Sequence, residues 1–268
     1  LRRGLAGSYR LLNAVRNGEA NPFSSVETYC IFVGHPRSGH SLVGALLDAH
    51  PNIAISNELF AQKLLLHGAT RNELFSLILG RSSYFPYRDT PKYRYKLPSQ
   101  HKGEYTTLRV IGDKSGGGTA NVLAENPALL RSLSSRVGVP VSLVHVTRHP
   151  LDNIASFCKD FREGNLEEAI EKYFDLCRKT QVVKEEGFES HTLRLEEFIH
   201  DTPGELAALC EFFGVPATQD YLKDCSSLVF DEPSRSRTRV DWTPNQIQRV
   251  YDRAIESPFL QDFLAAES

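Results

Sequence analysis

The run from Thr28 to Val33, together with the residues that follow it, constrains the fold of this chain more than any other feature. The run is continuous, apolar and rich in β-formers, which is typical of a strand buried in a parallel sheet. A glycine-rich turn follows at 34–39, and residues 41–49 have helical spacing. A buried strand, a glycine turn and a helix in this order predict the first half of a βαβ unit.

The rest of the chain repeats this alternation. Further strands are predicted at 53–55, 108–111, 141–146 and 192–195. Helices are predicted at 59–80, from about 120, after 150, at 166–186, after 201 and from 244. Strands that alternate with helices predict an α/β protein with three αβα layers and a mostly parallel central sheet.

The 268 residues are predicted to form one domain, since α/β domains of this length often stay undivided. Residues 1–27 are predicted to be an N-terminal extension. Residues 81–107 are rich in Tyr, Pro, Arg and Lys and lack periodicity, so they are predicted to be a long excursion of the kind that lines binding sites.

Composition excludes several classes of function. The formal net charge of −2 provides no global positive field for nucleic acid, and no apolar run approaches the roughly 20 residues that span a bilayer. The five cysteines are scattered and lack CxxC spacing, so neither a zinc site nor a disulfide framework is expected. These features favour a cytoplasmic protein, or a Golgi lumenal fragment if an N-terminal anchor has been removed.

The turn after the first strand has the spacing of a Walker A loop, with His40 at the position of the usual Lys. Its glycines let backbone N–H groups approach phosphate oxygens, and the helix that follows points its positive end at the same anion. Ser41 can add a hydroxyl, and Arg37 can supply the missing charge. The predicted anion-binding residues of this loop are His35, Pro36, Arg37, Ser38, Gly39, His40 and Ser41. The competing interpretation is a plain turn that joins a strand to a helix.

A metal-dependent NTPase would also need an apolar strand that ends in a carboxylate. The best later strand, 141–146, instead ends in Thr147-Arg148. The sequence therefore predicts an anion held by cations alone, without a metal.

These segments resemble the PAPS-dependent sulfotransferases, which use 3′-phosphoadenosine 5′-phosphosulfate (PAPS). Residues 31–39 look like the family's 5′-phosphosulfate loop, and 146–156 look like its 3′-phosphate motif. The stretch 47–51, followed by Glu58, is similar to tyrosylprotein sulfotransferases and their bacterial relatives. Residues 193–198 and 209–216 resemble a later strand and helix, so the resemblance covers about residues 28 to 216.

Three positions depart from that pattern. His40 stands where many relatives have Thr, and Asn57-Glu58 replaces an acidic pair. Phe60 stands near the position of a peptide-binding Arg in the tyrosylprotein sulfotransferases. The resemblance therefore does not imply that the acceptor is a protein tyrosine.

The resemblance implies a role for each candidate residue. Glu58 would be the base, with His40 and His35 as alternatives, and Lys114 and Arg37 would be the cations beside the leaving phosphate. Arg148 and Ser156 would hold the 3′-phosphate. Arg235 and Arg237 belong to a basic segment, 234–239, that would close over the nucleotide, with Trp242 beside it. For each of these residues a purely structural role is the alternative: a solvated lysine, a helix-start acid, a surface ion pair or a core aromatic.

The chain is therefore predicted to be a sulfotransferase that moves a sulfuryl group from PAPS to an acceptor hydroxyl, leaving adenosine 3′,5′-bisphosphate. The acceptor remains open among carbohydrate, lipid, polyketide and peptide, and no nucleic-acid partner is expected. The alternatives are a nucleotide or metabolite kinase and a non-catalytic nucleotide-binding module. Aromatic side chains expected to contact the acceptor are Tyr84, Phe85, Tyr87, Tyr93 and Tyr95.

Overall fold

The computed structural model describes residues 23–84, 107–161 and 165–265. Most of the predicted extension at 1–27 and most of the predicted excursion at 81–107 lie outside these residues. The same is true of four of the aromatic residues expected to contact the acceptor, namely Phe85, Tyr87, Tyr93 and Tyr95.

The described residues contain a five-stranded sheet in the order β2-β3-β1-β4-β5. Every neighbouring pair of strands is parallel. The predicted parallel α/β sheet is therefore confirmed. The strands are β1 (Thr28–Val33), β2 (Ile53–Asn57), β3 (Val110–Lys114), β4 (Val141–Thr147) and β5 (Glu189–Arg194).

Helices connect these strands and follow the last one. Before β4, the described residues form α1 (His40–Asp48), α2 (Ala61–Leu66), α3 (Arg71–Tyr84), α4 (Gly117–Glu125) and α5 (Pro127–Val137). After β4 they form α6 (Pro150–Phe161), α7 (Leu166–Lys184), α8 (Leu195–His200), α9 (Thr202–Phe212), α10 (Gln219–Ser226), α11 (Pro244–Ala254) and α12 (Gln261–Ala265). Two 3₁₀ turns lie at Ser236–Arg239 and Pro258–Leu260.

Alternate residues of β1 fill the two faces of the sheet. Tyr29 and Ile31 lie in a core with Phe75 of α3, whereas Cys30 and Phe32 lie in another core on the opposite face. The side chains on both faces of β1 are buried, which explains why its sequence is an unbroken apolar run. The three predicted αβα layers are confirmed, and a third cluster joins α6, α7 and α11.

Several boundaries differ from the sequence predictions. The helix predicted at 59–80 is two helices, separated at Gly68 with φ +92°. β3 runs on to Lys114 because Asp113 and Lys114 are buried although polar, and hydropathy alone could not include them. Phe23 and Val26 are also buried in the core, so the end of the predicted extension is part of the packed protein.

The strand order leaves one place where connections diverge. The chain leaves β1 towards β2, and it leaves β4 towards β5 on the other side of the sheet. Ligands of open α/β sheets bind outside the carboxyl ends of strands at such a switch point. The loop at 34–39 follows β1 and Arg148 follows β4, so both predicted anion motifs meet this crevice.

Candidate active site

The loop between β1 and α1 needs glycine where it leaves the sheet. Gly34 has φ +110°, and a Cβ there would lie 2.6 Å from the ring of His145. Arg37 also has a left-handed backbone, with φ +69°. Non-glycine residues adopt this conformation rarely, and it clusters at functional sites. The loop therefore has the tight, strained geometry predicted for an anion cradle.

His40, at the position of the Walker lysine, faces into the protein. Its Nε2 lies 2.8 Å from the carbonyl oxygen of Val33, and its Nδ1 lies 3.2 Å from the hydroxyl of Ser38. Burial lowers the pKa of His40 to about 3, so the ring is neutral and carries no charge to the loop. A neutral ring that donates from Nε2 to Val33 leaves Nδ1 unprotonated beside the hydroxyl of Ser38, which itself donates to the carbonyl of His35 at 2.8 Å.

His35 is turned inward in the same way. Its Nε2 lies 2.9 Å from the carbonyl oxygen of Tyr173, and the two rings stack with centroids 4.0 Å apart. Burial lowers the pKa of His35 to about 4. The two imidazoles considered as alternative bases thus support the loop from behind, with their ring nitrogens directed at protein atoms.

Lys114 provides the charge that His40 lacks. Its Nζ lies 3.2 Å from the hydroxyl of Ser41, at the start of α1, and 3.0 Å from a carboxylate oxygen of Glu58. Only 5% of the side chain is exposed. Burial lowers the pKa of Lys114, and the nearby charge of Glu58 opposes that shift. A buried ammonium beside a helix N-terminus is suited to an anionic ligand.

Glu58 lies on a strained turn immediately after β2. Its φ is +53°, that of Phe60 is +57°, and its own N–H donates to the carbonyl of Lys114 at 3.0 Å. The carboxylate is 44% exposed, so a ligand can reach it. The ring of Phe60 is also exposed, and it rests on Gly118, where a Cβ would come within 2.9 Å of it.

Arg148 joins the two predicted anion motifs. Its guanidinium donates to the carbonyl of Arg37 at 3.1 Å, to the hydroxyl of Ser236 at 3.1 Å, and to the carbonyl of Ser234. The Nε of Arg148 is buried without a hydrogen-bond partner among the described residues. The end of β4 therefore points at the glycine loop, and Arg148 fixes the two against each other.

A cavity of about 400 Å³ opens beside this contact. Arg37 crosses it, with Nε 3.1 Å from the hydroxyl of Ser156 on α6. Sequence reasoning placed Arg37 beside the leaving phosphate, but its side chain lies with the 3′-phosphate motif instead. The residues that line the cavity are Arg37, Ala155, Ser156, Cys158, Lys159, Ser236, Arg239 and Val240.

Of these cations, Lys159 was not predicted from the sequence, and Arg239 was predicted only as part of segment 234–239. Lys159 is one helical turn after Ser156, so both side chains share a face of α6. Arg239 bears the same relation to Ser236 in the 3₁₀ turn. The spacing was visible in the sequence, but which face of each segment meets the loop was not.

Other predicted residues lie away from the cavity lining. Arg237 forms a salt bridge to Asp152 at 3.0 Å and contacts His149 at 2.8 Å, so its side chain fastens segment 234–239 to α6. Arg235 is exposed and does not line the cavity. Trp242 packs against the α6, α7 and α11 cluster and donates to the carbonyl of Arg237, which is the core role that the sequence favoured over stacking on the adenine.

Side chains that could bind a metal ion are dispersed over the described part of the chain. Among those residues, no group of three or more His, Cys, Asp or Glu side chains is arranged to hold a metal ion. Nor does any helix there combine the length and apolarity needed to cross a membrane. All five cysteines are buried thiols.

No protein-family model and no curated protein matches this chain. Solved structures do match. The sulfotransferase STF9 from Mycobacterium avium aligns with a TM-score of 0.52 at 12% identity, covering 92% of this chain and 81% of its own. The sulfotransferase domain of the Synechococcus PCC 7002 olefin synthase gives a TM-score of 0.49 at 18% identity, covering 83% of each chain. The likeness to the mycobacterial structure shows that this chain has the fold of a sulfotransferase.

Proposed function

We propose that this chain transfers a sulfuryl group from PAPS to an acceptor hydroxyl. The observation that carries the proposal is the contact between Arg148 and the glycine loop. It brings together two anion-binding clusters, one at Ser41 and Lys114 and the other around the cavity. PAPS carries a 3′-phosphate and a 5′-phosphosulfate on its ribose. Two clusters of donors on one loop can hold these two anionic groups at the same time.

Each cluster has donors suited to one end of the nucleotide. The 5′-phosphosulfate fits the backbone N–H groups of the loop, the hydroxyl of Ser41 and the ammonium of Lys114. The 3′-phosphate fits Arg37, Ser156 and Lys159 at the cavity, with Arg148 behind them. Arginine offers a planar fork for phosphate oxygens.

Glu58 and Lys114 are suited to the transfer itself. The acceptor oxygen forms a bond to sulfur as the bond between sulfur and the phosphate oxygen breaks, and the electron pair of that bond stays on the phosphate. Glu58 takes the acceptor proton, for which it must lie within hydrogen-bond reach of the hydroxyl. Lys114 stabilises the charge that grows on the phosphate oxygen. Their contact at 3.0 Å keeps base and cation together.

A kinase would need an acidic residue at the end of a strand beside the glycine loop. β3 lies beside β1 and contains Asp113 near its carboxyl end, where an acid could hold Mg²⁺. Asp113 is fully buried, and each of its oxygens already accepts two hydrogen bonds from protein groups. It is therefore engaged as a structural acceptor, which favours sulfuryl transfer over the kinase.

Calorimetry separates the two enzymes. We expect adenosine 3′,5′-bisphosphate to bind without metal, and ATP to bind weakly whether or not Mg²⁺ is present. Tight, Mg²⁺-dependent binding of ATP would instead support the kinase.

Transfer of labelled sulfate from PAPS separates an enzyme from a binding module. Screening hydroxyl acceptors of the four open classes, we expect transfer by the wild type and its loss in Glu58→Gln. A module that only holds the nucleotide would bind the bisphosphate and transfer nothing to any acceptor.

A further inference from the structure

Asp113 is a buried carboxylate that sequence reasoning gave no role. Its exposed fraction is 0%, and it accepts hydrogen bonds from the hydroxyls of Ser56 at 2.7 Å and Ser115 at 2.6 Å. It also accepts from the backbone N–H groups of Leu59 at 3.0 Å and Ala61 at 3.1 Å. A carboxylate with two acceptor bonds on each oxygen is compensated for its burial.

These bonds belong to a larger pattern along the turn after β2. Its four successive N–H groups, from Glu58 to Ala61, all donate to the end of β3. Glu58 donates to the carbonyl of Lys114 and Phe60 to the hydroxyl of Ser115, at 3.0 and 3.2 Å, while the other two donate to Asp113. The turn is thus fastened at every residue.

The fastened turn is also the strained one. Glu58 and Phe60 are two of the three non-glycine residues with positive φ in the described chain. Such residues persist only where surrounding contacts hold them, and here Asp113 supplies two of the four bonds. The next residue of β3 is Lys114, so a single strand end sets both members of the Glu58–Lys114 pair.

We propose that Asp113 is the positioning residue of the general base: it holds the turn so that the carboxylate of Glu58 faces the acceptor beside Lys114. This inference rests on the proposed function of Glu58. Asp113 is too deeply buried to touch the substrates itself, and it acts through the turn.

The substitution Asp113→Asn tests this role. The asparagine amide keeps one acceptor oxygen, but its NH₂ group would oppose the donors that the other carboxylate oxygen now accepts. We expect kcat to fall between about 10- and 100-fold, as when a supporting partner is lost or a reacting group is misplaced by about 1 Å. The affinity for adenosine 3′,5′-bisphosphate should change less than about twofold, since none of the four donors to the Asp113 carboxylate belongs to loop 34–41 or to the cavity lining.

Asp48→Asn is the matched control. Asp48 is also buried, and it accepts from the N–H of Ile55 and the hydroxyl of Ser82, but it does not hold the 58–61 turn. This variant should keep kcat. A comparable loss of kcat in both variants would assign Asp113 a general structural role and overturn the proposal.

A double-mutant cycle distinguishes positioning from stability. In the Glu58→Gln background, Asp113→Asn should cause a much smaller further loss of residual turnover than in the wild type, because the base that it positions is already gone and only its charge near Lys114 is still lost. A further loss of the same 10- to 100-fold size would contradict the proposal. If Glu58→Gln alone keeps full turnover, the assignment of the base fails, whatever Asp113 does.

Amide hydrogen exchange gives a readout that does not depend on activity. In Asp113→Asn, the amides of Leu59 and Ala61 should exchange faster while those of β1 keep their protection. Ser115→Ala is a milder variant if Asp113→Asn folds poorly, and it should speed exchange at Phe60. Unchanged exchange at the turn in a folded variant would overturn the proposal.

Discussion

Replacing Lys114 by Met should stop turnover while leaving the nucleotide bound. Methionine keeps much of the stem that packs against Gly44 and removes only the charge. The Nζ lies 3.2 Å from the hydroxyl of Ser41, so a phosphate oxygen that binds this hydroxyl on the side of Lys114 can come within about 4 Å of the ammonium. At an effective dielectric of about 20, a full unit of charge at that distance is worth about 4 kcal/mol.

Only part of that energy separates the transition state from the bound substrate, because the phosphosulfate is anionic from the start. We therefore expect kcat to fall between about 100- and 1,000-fold, the range seen when one donor to a developing oxyanion is removed. The affinity for the bisphosphate should fall less than about tenfold, because binding relies on the loop and the cavity cations as well.

Single-turnover transfer of labelled sulfate, with calorimetry of the bisphosphate, measures both quantities. Lys179→Met is the matched control, because Lys179 also pairs with carboxylates, Glu125 and Asp175, but on the surface, where such pairs contribute little. The Lys114 variant should fold, since the carboxylate it leaves on Glu58 is 44% exposed. Equal losses in kcat and in affinity would refute the assignment of Lys114 to developing charge.

Three further predictions concern the surroundings of the site. Arg237→Ala should weaken bisphosphate binding about tenfold, because it removes the side-chain bonds to Asp152 and leaves only the backbone N–H of residue 237 to hold segment 234–239 there. The exposed Arg235→Ala should not weaken binding; calorimetry of the two variants decides, and equal effects would contradict the anchoring role of Arg237. Stability should fall as pH drops from about 6.5 towards 4, since His40 takes up a proton in the unfolded chain but not in the folded protein, where its pKa is about 3. Denaturant titrations at several pH values in this range give the free energy of unfolding of the wild type and of His40→Gln. This free energy should depend less steeply on pH in the variant, and an equal pH dependence would count against a neutral buried ring. Phe60→Ala should raise the acceptor KM several-fold without changing bisphosphate affinity, because the ring is exposed beside Glu58; an unchanged KM would remove it from the acceptor side.

Much of the framework could be read from the sequence because it depends on local patterns. The apolar run of β1, the glycine turn and the helix after it are adjacent along the chain, and each has its own signal. Arg148 and Lys114 could be proposed because both lie at strand ends, where ligands of such sheets bind. Knowing that the strands are parallel is enough to place these ends on one edge.

The directions of the side chains could not be read. Arg37 and His40 lie in the same loop, yet one turns out to Ser156 and the other turns in to Val33. Their directions depend on the left-handed backbone at Arg37 and on space left by Gly34, which are properties of the folded loop.

Polar residues inside the fold were hidden for a related reason. Asp113 looks like the start of a loop in a hydropathy profile, and only the folded turn shows that its oxygens are saturated by distant groups. Arg237 was predicted to bind phosphate because no acidic partner stands near it in the sequence. Its partner, Asp152, is 85 positions earlier in the chain. Pairings between distant segments have no local signal.

The proposed function requires one nucleotide whose two ends are held by the two clusters that Arg148 joins. The most direct test compares the affinity of the wild-type protein for adenosine 3′,5′-bisphosphate with its affinity for adenosine 5′-monophosphate, without metal. In the proposed function, the added phosphate would contact Arg37, Ser156 and Lys159 at the cavity, and charge-assisted bonds of about 1.5–3 kcal/mol each predict at least a 100-fold preference for the bisphosphate. Equal affinity for the two nucleotides would contradict the account.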